Sequence, residues 1–132
     1  MSRFKRVLSL TLSLLIIALI LGCAGTRKDR SAVEMRSQRV QAALIAVADA
    51  LQMYQQDKGY FPQGLATLRD GHYLSIMPDV ERDWQFDYYT DGGQVMMVEA
   101  TSRSSMPDGA GQKIIYRVPD QSWEGYGITE FP

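Results

Sequence analysis

Residues that carry chemistry are scarce in this chain of 132 residues. Its one cysteine, Cys23, leaves no disulfide to staple it. Its one histidine, His72, follows Gly71 in an expected turn, where a lone histidine is solvated far more often than catalytic. No paired-cysteine or His-x-x-x-His pattern offers a metal site. No Gly-x-Ser-x-Gly offers a nucleophile elbow, and no glycine-rich loop opens a helix to cradle phosphate. The expectation is a protein that is not an enzyme. Nor does charge invite nucleic acid, since the net formal charge is −1.

Acidic residues are absent before Asp29, whereas Arg3, Lys5 and Arg6 stand close to the start. Between them Val7 to Leu21 carries no charge, and Ser9, Thr11 and Ser13 are its only polar side chains. A basic n-region, an apolar h-region and then small residues form the layout of a secretory signal. The run falls short of the roughly 20 residues that span a bilayer comfortably, although tilt would allow an uncleaved anchor as the alternative. It ends in Leu19-Ile20-Leu21-Gly22-Cys23. This resembles the lipobox of bacterial lipoproteins, with Ile20 and Leu21 where that pattern prefers Leu and a small residue. The resemblance implies cleavage between Gly22 and Cys23 and lipid on Cys23; the competing reading is a free cysteine buried at the end of a membrane helix. In lipoproteins an Asp after the cysteine often retains the protein at the inner membrane; Ala24 and Gly25 supply none, so the resemblance implies the outer membrane over the inner. The expected organisation is a signal peptide over 1–22, a tether over 23–30 and a domain over 31–132. All 15 acidic residues lie beyond the signal, so the remainder is acidic.

Ser31 and Glu34 make a Ser-x-x-Glu capping box and predict a helix start. Val33, Val40, Leu44, Val47, Leu51 and Tyr54 then recur at helical spacing and form one apolar stripe. Asp57-Lys58-Gly59 predicts the helix end, and Pro62 prevents its continuation. Leu65, Leu68 and Leu74 predict a short helical turn and a return, and Pro78 to Asp83 an acidic loop. From Trp84 the period becomes two. Trp84, Phe86 and Tyr88 alternate with Gln85, Asp87 and Tyr89, and Asp91-Gly92-Gly93 predicts a hairpin. Further strands are expected over Gln94–Thr101, Lys113–Val118 and Ser122–Glu124, with a polar loop over Ser102–Gln112. The fold class is α+β: a long N-terminal helix packed on a small antiparallel sheet.

The segment from Ala46 through Tyr54, Asp57 and Gly59 to Pro62 resembles the end of the long helix in type IV pilins and type II secretion pseudopilins. Gly64, Leu65, Leu68, Tyr73, Leu74, Pro78 and the aromatics Trp84, Phe86 and Tyr88 continue the likeness. It covers roughly residues 31 to 125, with Leu51, Tyr54, Asp57, Gly59 and Pro62 as its most specific part. It implies a pilin-like fold and a structural role in an envelope machine. The chain departs from that family at its start. Phe4 to Leu10 holds neither the Gly of a prepilin peptidase site nor the Glu that registers one subunit on the next.

Two further features bear on binding. Asp79, Glu81, Asp83, Asp87 and Asp91 crowd together, and calcium takes several oxygen ligands, so Asp83, Asp87 and Asp91 are candidates. The spacing is not that of an EF-hand, and a solvated acidic edge is the simpler account. No other cofactor is expected. Met96 and Met97, adjacent in a strand, should face opposite sides and leave one for a partner. The expected function is a lipid-anchored pilin-like or pseudopilin-like structural protein of a secretion or pilus-type system. It would sit outside the cytoplasm and contact the membrane through lipid and envelope proteins or other pilin-like subunits through its surface. The alternatives are a bitopic minor pseudopilin-like protein and a periplasmic ligand-binding lipoprotein.

Overall fold

The computed structural model describes the backbone of residues 2–129 and the side chains of residues 29–129. It divides into two units, Met1–Val33 and Glu34–Pro132. Helix α1 has the bounds Ser2–Lys58. It therefore runs through Ser31, where the capping box predicts a start, and through the expected tether. From Thr26 onward composition allows this, because no Gly or Pro interrupts the chain between Thr26 and Lys58. The signal-peptide residues and their cleavage site lie outside the described side chains.

In the second unit α1 presents Val40, Leu44, Val47, Leu51 and Tyr54 to the core, as the stripe predicts; Val33, the remaining stripe residue, falls in the first unit and is half-buried. Ala43, Ala48 and Ala50 are buried beside them, and their small side chains let the helix lie close to its neighbours. Lys58 occupies the last turn, where positive charge favours the C-terminal end of the helix dipole. Gly59 ends the helix at φ +82, with its N–H donating to the Gln55 carbonyl at 2.8 Å.

Two short helices follow, α2 over Leu65–Asp70 and α3 over Pro78–Asp83. The second corrects the loop expected there. Pro78 stands in its first turn with Asp79 and Glu81, and Arg82 in its last. Proline's fixed φ and this charge order both favour a helix. Strands β1 (Trp84–Asp91), β2 (Gln94–Ser102), β3 (Lys113–Arg117) and β4 (Ser122–Gly125) form an antiparallel meander in the order β1-β2-β3-β4. The architecture is thus α+β, a long helix packed on a four-stranded antiparallel sheet.

Trp84, Phe86, Val98, Ala100 and Ile114 from the sheet join the helix stripe in one core, closed by Leu68, Leu74 and Val80. The β1–β2 register slips between Tyr89 and Thr90, pairing Tyr89 with Met97 but Thr90 with Val95. Met96 is the extra residue of this bulge, so simple alternation fails. Val95 and Val98 both face inward, and Met96 and Met97 are both half-buried rather than one being exposed. The 102–112 loop, expected to be polar, buries Met106. Buried Ser102 ties it down: its Oγ donates to the Gly109 carbonyl at 2.7 Å and accepts from the Gln112 N–H at 2.8 Å.

Candidate functional site

The residues singled out around the helix end are brought together. Leu51 is fully buried, and Tyr54 above it packs edge-on against Tyr60 and Tyr73, with ring centroids 5.8 and 5.3 Å away. Tyr73, just after α2, donates its hydroxyl to Asp57 Oδ2 at 2.7 Å. That hydrogen bond, helped by burial and the carboxylate charge, holds the Tyr73 hydroxyl above its ordinary titration range. Pro62 is buried, and its carbonyl accepts from the Tyr88 hydroxyl, fastening the chain after the helix to β1. Leu51, Tyr54, Asp57, Gly59 and Pro62 thus build a turn that fixes how the long helix hands the chain to the sheet. The sequence showed the turn but not its partners Tyr73 and Tyr88. Their tyrosine hydroxyls beside a short helix and a strand were the available signal.

The acidic residues do not converge. Asp79 pairs with Arg39 at 2.6 Å, Glu81 with Arg69 at 2.6 Å, and Asp83 with its neighbour Arg82 at 2.8 Å. The Arg82 hydrogen bonds, with help from Ser105, hold the Asp83 carboxyl below the ordinary carboxylate range. Asp87 and Asp91 lie exposed along β1, about 13 Å apart at strand rise. Among the described residues no cluster of three or more metal-binding side chains occurs. His72 is exposed, with φ 61.

Helix α1 is also held by its polar side. Arg36 Nη1 contacts Asp108 Oδ2 at 2.8 Å, and the Tyr126 hydroxyl donates to the same carboxylate. Burial pushes the Tyr126 hydroxyl up, and the bond to Asp108 adds to it. These links join the helix to the 102–112 loop and to the chain after β4. Sequence reading missed them because partners so distant along the chain leave no periodic trace.

On the side of α1 away from the core, Met35, Ile45 and Met53 are 60%, 43% and 55% exposed. Beside the same helix a cleft of about 430 Å³ is lined by Glu34, Gln38, Gln41, Trp123, Gly127, Ile128 and Thr129. Cys23 and Gly22, the expected lipidation and cleavage residues, lie outside the described side chains. Among the described residues no helix is long and apolar enough to cross a membrane.

Comparison with family models, with curated proteins and with solved structures gives no match to this chain.

Proposed function

We propose that this chain is a lipid-anchored, pilin-like or pseudopilin-like structural protein of a bacterial envelope system of the secretion or type IV pilus kind. The observation that carries this reading is the closed turn around Tyr54, Asp57, Gly59 and Pro62. It couples a long helix to an antiparallel sheet with the residues on which the resemblance rests. Exposed Met35, Ile45 and Met53 on the outer side of α1 support docking rather than catalysis. Lipid on Cys23 fixes the head at a membrane surface outside the cytoplasm, the outer membrane being favoured. Two acyl chains suffice for stable anchoring, at about 0.8 kcal/mol for each buried CH₂.

The test is palmitate incorporation in growing cells. Labelling of the native chain that disappears in Cys23→Ala supports the anchor, and an unlabelled native chain that keeps its starting Met overturns it. That second result favours a bitopic pseudopilin-like protein retaining its apolar segment. Affinity purification of the membrane-extracted protein then tests the assignment to an envelope machine. Recovery of secretion or pilus components supports it, and their consistent absence counts against it.

A further inference from the structure

We propose that the cleft between α1 and the segment following β4 binds a neutral saccharide. Glu34, Gln38 and Gln41 line one wall. They stand four and three residues apart, so they share one face of the helix over roughly 10 Å. A carboxamide both donates and accepts, as a sugar hydroxyl does, and two carboxamides beside one carboxylate suit a row of hydroxyls. Gln41 is already oriented. Its Nε2 donates to Ser37 Oγ at 3.0 Å, and Ser37 is completely buried. This leaves the Gln41 carbonyl oxygen as an acceptor of fixed position, which lowers the ordering cost of binding.

The opposite wall carries Trp123, Gly127, Ile128 and Thr129. The Trp123 indole is stacked on Tyr116, with centroids 4.3 Å apart and planes 20° from parallel. The two residues are also cross-strand partners of β3 and β4, so the indole is braced from one side. A braced indole offers an apolar platform to the C–H face of a pyranose, while its N–H remains a donor. The volume, about 430 Å³, falls in the range of small-molecule sites.

Charge narrows the ligand class. Among the described residues no lysine or arginine lines the cleft, and Glu34 is the one charged side chain there. A phosphate or uronate would meet repulsion from Glu34, with no cation among these residues to offset it. A wholly apolar ligand would strip water from three polar side chains and return no hydrogen bonds. A neutral, hydroxyl-rich ring with one apolar face satisfies both walls. The inference rests on the head alone and is independent of lipid on Cys23.

The experiment uses the full chain in phosphocholine micelles, which carry no sugar, with tri-N-acetylchitotriose and cellotriose as probes. The two indole N–H signals are followed by NMR. The expected result is a saturable movement of the Trp123 signal with at least one trisaccharide, while that of buried Trp84 stays still. Gln38→Ala and Gln41→Ala should each weaken binding roughly tenfold, and Met53→Ala, on the exposed outer side of α1, should not. Folded protein whose Trp123 signal ignores both trisaccharides up to their solubility overturns the proposal. So does unchanged affinity in both glutamine variants. A proline-rich peptide that moves the signal where the sugars fail also overturns it, and assigns the cleft to a protein segment.

Discussion

The Tyr73 hydroxyl donates to Asp57 Oδ2 at 2.7 Å, joining the turn after α2 to the last turn of α1. The bond to Asp57, burial and the nearby negative charge all raise the Tyr73 hydroxyl from its ordinary 10.0. A raised group contributes stability that is fully present below its unfolded value and lost as pH climbs through its folded one. Alkaline titration should therefore show Tyr73 among the tyrosines that ionise late, and the difference spectrum against Tyr73→Phe isolates its contribution. Asp57→Asn should move that ionisation back toward 10.0, and Tyr73→Phe should flatten the alkaline loss of stability. A Tyr73 that titrates like free tyrosine would show that this link is open in solution.

Leu51 has no solvent exposure and belongs to the buried helix stripe, three residues before Tyr54 of the aromatic cluster. Leu51→Ala should remove about 3 kcal/mol, combining lost transfer energy with the cavity left behind. Thermal unfolding followed by circular dichroism gives the readout, with Gln56→Ala on the exposed side as control. The control should stay within about 0.5 kcal/mol of the native protein. Equal effects from the two would mean that the buried stripe is not the principal support of the helix.

Much of the fold is legible in the amino-acid pattern, because burial imposes periods. The spacing of Val40, Leu44, Val47, Leu51 and Tyr54 shows the inward face of α1, and the alternation from Trp84 shows β1. Two local exceptions escaped. The bulge at Met96 adds one residue to an otherwise regular ladder, and no composition signal marks it. The α3 helix is too short for a period, although Pro78 followed by two acids was its available sign. The candidate site divides in the same way. Gly59 and Pro62 are local backbone devices and can be read directly. The Asp57–Tyr73 and Asp108–Tyr126 links join distant residues, as does the cleft that brings Gln38 near Trp123, and only folding reveals them.

Gly125 makes the sharpest single-residue test of the sheet. Its φ is +115, and a Cβ built there would lie 2.1 Å from the Lys113 carbonyl oxygen, which already accepts from the Tyr126 N–H at 2.7 Å. Gly125→Ala must shift backbone rather than a flexible side chain. Its cost should exceed the roughly 1 kcal/mol typical of a strained φ alone. Loss of β3–β4 pairing should appear as faster amide exchange at Tyr126 and a changed near-ultraviolet signal from the Tyr116–Trp123 stack. Gly109→Ala is the contrast, because φ there is +90 but a Cβ would meet nothing within 4 Å. It should show backbone strain alone, with β4 intact.

The outer side of α1 carries the remaining expectation. Ile45 and Met53 are exposed at eight residues' spacing, two helical turns and a little more, with charged Asp49 midway between them. Neither side chain belongs to the core, so Ile45→Glu and Met53→Glu should each leave the melting temperature nearly unchanged. If this face docks on an envelope partner, each buried side chain contributes about 1.5–3 kcal/mol to that contact. Replacing either one should then reduce recovery of the partner by tenfold or more. The measurement is quantitative copurification from membranes in which Cys23 is intact, so that anchoring is equal in all samples. Undiminished recovery in the double variant, with the head still folded, would remove this face from the interface.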